Sequence, residues 1–171
     1  MRTALIAFSS SLLCSTLVVS AAYRTSAVVA SGDAVVSAAG AGQAAARVVQ
    51  IQVGDNMKFN PAAISAAPGE RLKVVITDVG KMPKMAMAHN FVLLKKGTDP
   101  KGFAEKSATS RETEFIAPAL TDQVLAKTTM VGPGETAEVT FAAPTQRGDY
   151  TFICTFPGHF ALGMKGLLSV K

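Results

Sequence analysis

The chain has 171 residues, a length that suits one domain with an N-terminal segment outside the fold. Its formal net charge is +5, but from Val48 onward 14 basic and 11 acidic side chains leave only +3. The basic residues are scattered rather than clustered with aromatic ones, which argues against a nucleic-acid-binding protein.

Residues 1–22 have the pattern of a secretory signal peptide. Arg2 supplies the positive charge, residues 4–19 are apolar or small, and small residues at 19–22 offer a cleavage site. The apolar run is short for a bilayer span, which takes about 20 apolar residues. An uncleaved anchor and a lipid on Cys14 stay open as alternatives, although Leu13 stands where a lipidation signal wants a small residue. We therefore expect a periplasmic protein whose only route to membrane association is its N-terminal segment.

Residues 23–47 are mostly Ala, Gly, Ser and Val without a period of 2 or 3.6, and are expected to form a flexible linker. The folded domain is expected to span residues 48–171. Its first half contains three short extended runs at 48–53, 62–65 and 71–77, two of which alternate clearly between apolar and polar residues. Short strands at close spacing favour an all-β sandwich or barrel over βαβ units.

Residues 78–88 carry Met82, Met85 and Met87. Thioethers can hold Cu(I), but Pro83 and its flanking lysines favour the alternative that these methionines are apolar filler or a docking surface. His89 opens the next alternating run, with Phe91 and Leu93 on its face. The charged connection at 95–121 breaks the strand rhythm and is expected to hold a helical turn or two, as a flap on the sandwich or a surface for partners. Strand-like runs return at 122–131, 136–141 and 150–154.

The last part of the chain holds Cys154, His159 and Met164 at Cys-x4-His-x4-Met spacing, on a loop broken by proline and glycine. A cysteine, two histidines and a weak axial methionine form the trigonal copper site of electron-transfer proteins. The sequence has only two histidines, so His89 is the candidate for the second. Zinc is the rival metal, since two histidines and a cysteine also suit a tetrahedral zinc site.

The same residues argue against an enzyme. The loop has no carboxylate to act as a general base on a metal-bound water, and no histidine is left over for a catalytic triad. A site filled by protein ligands suits one-electron transfer. Because His159 lies on the loop, we expect electrons to enter and leave the site through it. The apolar residues around it are expected to form a patch where partners dock transiently; those residues are Phe156, Pro157, Phe160 and Leu162.

The segments Cys154–His159, Met164–Gly166, Met87–Asn90 and Met57–Asn60 resemble the azurin-like blue copper proteins of the cupredoxin family. The resemblance runs from about Gln50 to Lys171, and it implies an eight-stranded Greek-key β sandwich with a flap between the fourth and fifth strands. The His-x4-Met spacing is similar to that of plastocyanins and auracyanins, because azurins have one residue fewer there.

The resemblance also implies roles for individual residues. His89, Cys154 and His159 would bind one type 1 copper ion, with Met164 as axial ligand and the backbone carbonyl of Ala88 approaching from the other side. Asn90 and Thr155 would steady the loop from outside the ligand set. The implied function is a periplasmic carrier that passes electrons between cytochromes or copper enzymes. A copper chaperone or buffer is the alternative, and a metal-free adhesive sandwich is a weaker third.

Overall fold

The structure is a computed structural model, described here for residues 45–171. The predicted signal peptide at 1–22, Cys14 and residues 23–44 of the predicted linker lie outside the described residues. Within the described part of the chain, no helix is both long and apolar enough to cross a bilayer.

In residues 45–171, eight strands form two sheets whose inner faces share one core. Three strands make the smaller sheet in the order β1-β3-β6, and five make the larger one in the order β2-β8-β7-β4-β5. Their bounds are Arg47–Val53 (β1), Ala63–Ala66 (β2), Arg71–Asp78 (β3), Val92–Leu94 (β4), Val124–Lys127 (β5), Thr136–Ala142 (β6), Gly148–Ile153 (β7) and Lys165–Val170 (β8). The predicted eight-stranded sandwich is confirmed.

Alternation sets which face of each strand is buried. In β3, Leu72, Val74 and Ile76 are fully buried, and they meet Phe152 of β7 and Leu168 of β8 in the main core. Strand β1 begins at Arg47, one residue before the expected domain start. The Arg47 side chain is on the same face as the buried Val49 and Ile51 but is itself exposed, and it pairs with Glu70.

The segment between β4 and β5, residues 95–123, is a flap that packs on the outer face of the larger sheet. It contains helix α1 (Pro100–Ser107), whose first turn is capped by the Asp99 carboxylate and begins with a proline. Two 3-10 turns follow, at Arg111–Thr113 and Pro118–Gln123. Phe103 of α1 and Ile116, which lies between the two turns, join the sheet residues Val92, Leu94 and Ile153 in a second core cluster.

Two expected strands are shorter than their sequence patterns. Only residues 124–127 of the run at 122–131 form β5, because a 3-10 turn takes residues up to Gln123 and the chain then leaves the ladder. The run that begins at His89 is a strand only over 92–94. His89 instead makes an isolated bridge to Val131, donating to and accepting from its backbone at 2.9 and 2.8 Å.

Candidate metal centre

Three potential metal ligands from distant parts of the chain meet at one end of the sandwich. The donor atoms of His89, Cys154 and His159 all lie within 4.8 Å of one another, and all three side chains are buried. Cys154 Sγ lies 3.5 Å from His159 Nδ1 and 3.9 Å from the carbonyl oxygen of Ala88. Met164 is also fully buried. The structure therefore gathers the three strong donors that the sequence singled out, and no carboxylate from residues 45–171 joins them.

The metal loop, residues 154–164, is folded back on itself by its own backbone. Cys154 follows the last residue of β7, with its side chain on the core side. Turns with positive φ at Gly158 and Gly163 return the chain, and the Met164 amide donates to His159 O at 2.9 Å. The Cys154 amide donates to Met164 O at 3.3 Å. These bonds bring the two ends of the loop together.

His89 is the clearest sign that the centre is built for a metal. Both of its ring nitrogens are buried, and neither has a hydrogen-bond partner in the described structure. Buried polar atoms are nearly always hydrogen-bonded, because leaving one unpaired costs about 1–3 kcal/mol. The alternative of a core histidine satisfied by protein hydrogen bonds is therefore not what the structure shows. A metal ion would give one of the two ring nitrogens the partner that it lacks.

Burial also sets the charge state of the donors. Desolvation lowers the pKa of His89, and desolvation together with the nearby His89 lowers the pKa of His159 to about 4. Both imidazoles are therefore neutral at pH 7, with lone pairs free for a metal. Burial raises the pKa of the Cys154 thiol to about 12 in the metal-free protein. Metal binding must displace that proton, since the thiolate is the ligand.

Hydrogen bonds between Asn90 and Thr155, both buried, connect the metal loop to the segment that carries His89. Asn90 Oδ1 accepts from the Thr155 amide at 2.9 Å, and Asn90 Nδ2 donates to Thr155 Oγ1 at 2.8 Å. Because Asn90 follows His89 and Thr155 follows Cys154, these bonds join the two ligand-bearing segments directly. The carbonyl of Glu114 in the flap accepts from Thr155 Oγ1 at 3.1 Å.

The residues of the expected docking patch belong to the metal loop but differ in exposure. Leu162 is 59% exposed and Pro157 is also exposed, whereas Phe156 and Phe160 are half-buried. The Phe156 ring lies against that of His159, with centroids 4.6 Å apart. Phe160 packs against the second core cluster beneath the flap.

In the Met-rich segment at 78–88, Met85 is 79% exposed and lines a groove beside Phe156 and Pro157.

Sequence reasoning missed three residues that contact the loop. Lys58 donates to the carbonyls of Leu162 and Gly163 at 3.0 and 3.4 Å, and so supports the loop just before Met164. Glu114 and Phe115 reach the loop from the flap. Lys58 lies in the segment that carries the family resemblance, but nothing in the sequence marked it or the flap pair as contacts.

We expect acid to destabilise the metal-free fold through His159 by about 2 kcal/mol between about pH 7 and pH 5. Its pKa is about 4 when folded and about 6.5 when unfolded, so the unfolded state binds more protons in this window and stability falls as pH falls. Urea unfolding of the metal-free protein at both pH values measures the change. His159→Gln should flatten the dependence; an unchanged slope would contradict the assignment.

Comparisons with known proteins agree with this centre. The model of a family described as copper binding proteins, plastocyanin/azurin family, matches residues 45–171. The chain is 37% identical to an azurin of Pseudomonas aeruginosa over 127 residues, covering 72% of this chain and 84% of that one. It is 39% identical to auracyanin-B of Chloroflexus aurantiacus over 98 residues, covering 57% of this chain and 41% of that one. A crystal structure of dithionite-reduced auracyanin from the photosynthetic bacterium Roseiflexus castenholzii superposes with a TM-score of 0.65 at 29% identity, covering 74% of this chain and 98% of that one.

Proposed function

Because the chain belongs to the plastocyanin/azurin family of copper-binding proteins, we propose that it is a periplasmic electron carrier that moves single electrons between redox proteins. The family and the buried His-Cys-His donor set suit one type 1 copper ion. Family members of this kind are electron carriers rather than enzymes, in agreement with the expectation from the sequence. The observation that carries the proposal is the pair of unpartnered ring nitrogens on His89, beside the thiol and imidazole of the loop.

Four side chains would hold the ion. His89, Cys154 and His159 would be the main ligands, Met164 would be the weak axial ligand, and the carbonyl of Ala88, which lies 3.9 Å from Cys154 Sγ, would be a further weak one. Two nitrogens, a thiolate and a thioether match the ligand set of blue copper sites, in which the axial methionine tunes the potential. Zinc is disfavoured because methionine is a poor zinc ligand.

When bound, copper supplies a one-electron couple, and the protein supplies a closed and rigid site for it. Each of the four residues is at most 3% exposed, which shields the site from bulk water. The bonds between Asn90 and Thr155 hold the segments after His89 and Cys154 at a fixed separation. A site with so little freedom to rearrange favours fast electron exchange. It also argues against a chaperone, which needs an exchangeable site.

Electrons would enter and leave near His159. Its ring packs against the half-buried ring of Phe156, and Pro157 and Leu162 of the same loop are exposed. These residues, with Phe160, would form the apolar patch on which cytochromes or copper enzymes dock transiently. Residues 1–22 would export the protein as a signal peptide and 23–47 would form a linker. Any membrane association would run through that N-terminal segment.

The direct test is to add Cu(II) to the metal-free protein and record visible absorption and electron paramagnetic resonance spectra through cycles of reductant and oxidant. We expect an intense blue thiolate-to-copper band that bleaches and returns in each cycle. The same protein with Zn(II) should stay colourless and serves as the control. A pale protein that binds Cu(I) and passes it to an acceptor would instead favour the chaperone.

A further inference from the structure

Two adjacent residues of the flap have a backbone conformation that their side chains disfavour. Glu114 and Phe115 both have φ of 57°, in the left-handed region. Such conformations cost of order 1–3 kcal/mol each for residues other than glycine, and they persist only where surrounding contacts hold them. Two such residues in succession therefore indicate that surrounding contacts hold this part of the flap in its conformation.

Glu114 makes those contacts through both its backbone and its side chain. Its carbonyl accepts from Thr155 Oγ1 at 3.1 Å and lies 3.5 Å from Asn90 Nδ2. It therefore contacts both residues whose hydrogen bonds join the two ligand-bearing segments. Its carboxylate accepts from the Met130 amide at 3.0 Å and pairs with Lys127 at 3.6 Å. The side chain thus ties the carbonyl to the β5 side of the fold, next to the segment that bridges His89.

Phe115 continues the contact toward the metal ligands through a row of rings. Its ring meets Phe156 edge-on, with centroids 5.4 Å apart, and Phe156 lies 4.6 Å from His159. His159 in turn lies 4.9 Å from His89. Phe156 is therefore held between a flap residue and a ligand. Because aromatic pairs of this kind contribute about 0.5–1.5 kcal/mol beyond their buried area, Phe115 restricts where Phe156, and so His159, can move.

We infer that Glu114 and Phe115 form a clamp by which the flap positions the metal loop, fixing Thr155 through a carbonyl and His159 through Phe156. The inference rests on the proposed copper site for its functional meaning. With this backbone conformation, the Glu114 carbonyl contacts Thr155 and the Phe115 ring contacts Phe156, both in the metal loop. The clamp acts on the ligands through other residues, so both are positioning residues.

The test compares Phe115→Leu, which removes the ring, with Phe115→Tyr, which keeps it. Phe141→Leu is the matched control, because Phe141 is also half-buried and also stacks on a phenylalanine, Phe91, but it lies on β6 away from the metal loop. We expect Phe115→Leu to speed copper release to a chelator about tenfold, since residues that orient ligands typically affect metal affinity by 10–100-fold. Phe115→Tyr should restore the slow rate, and Phe141→Leu should not raise it.

A second readout uses the metal-free protein. Amide hydrogen exchange at Thr155 and His159 should quicken about tenfold in Phe115→Leu, while exchange in β3 stays unchanged; similar acceleration in β3 would indicate general destabilisation and overturn the inference. Glu114→Asn, which keeps a residue that tolerates positive φ but shortens the side chain, should quicken Thr155 exchange as well. Unchanged release and exchange in both variants would also overturn it. A protein that binds no copper would refute the proposed function alone, because the exchange experiment needs no metal.

Discussion

Replacing Cys154 with serine is expected to abolish the blue absorption band and to weaken copper binding by at least about a hundredfold. The thiolate is the soft ligand of the set, and the intense band is its charge transfer to copper. A serine hydroxyl does not ionise at neutral pH and is a hard, poor donor. The other proposed side-chain ligands, His89, His159 and Met164, offer no second thiolate. Absorption spectra and copper titration of the variant measure both effects.

The same variant has to be shown to fold before the loss can be assigned to the ligand. Serine is close to cysteine in volume, and its hydroxyl has possible partners in His159 Nδ1 and the carbonyl of Ala88, which surround Cys154 Sγ. We therefore expect the metal-free variant to unfold in urea within about 1 kcal/mol of the unsubstituted protein. A folded variant that retains an intense blue band would contradict the assignment of Cys154 as the ligand.

The positions of strands and their inner faces could be predicted where one face is solvated. Alternation identified β1 and β3 because polar residues mark the outer face of each strand. It identified β4 less well, because Val92, Leu93 and Leu94 are all buried: one side faces the main core and the other faces the flap. Where both faces of a strand are buried, apolar and polar residues do not alternate, so the pattern does not mark where the strand begins or ends. The strand was therefore expected to start at His89.

The metal centre could be predicted because its chemistry is concentrated in few residues. Cys154, His159 and Met164 are close in sequence. His89 is the only other histidine in the sequence, so it was the one candidate for the second histidine ligand. The flap clamp could not be predicted in this way. Its main contact is the backbone carbonyl of Glu114, which has no residue-type signature, and the contact spans 41 positions to Thr155. The aromatic contact of Phe115 also depends on the positive φ of Glu114 and Phe115, which no sequence pattern predicts.

Removing the Asn90 side chain is the second change from which we expect a large effect. Asn90→Ala should lower the free energy of unfolding of the metal-free protein by about 3 kcal/mol and weaken copper binding by about 10–100-fold. The asparagine is fully buried, and its loss leaves the Thr155 amide without its acceptor at 2.9 Å. It also breaks the bond that joins the segment after His89 to the segment after Cys154. Urea unfolding and copper titration measure the two quantities.

Two matched variants separate this role from a general loss of stability. Asn56→Ala removes an exposed asparagine that accepts from the Lys58 amide at 3.1 Å, and should cost no more than about 1 kcal/mol without affecting copper. Thr155→Ser keeps the amide and the hydroxyl that bond to Asn90 and removes only a methyl group, so copper affinity should stay close to that of the unsubstituted protein. If Asn90→Ala loses stability but binds copper as tightly as before, Asn90 supports the fold and does not position the ligands. If Thr155→Ser loses copper as severely as Asn90→Ala, packing by the methyl group rather than the hydrogen bonds holds the loop.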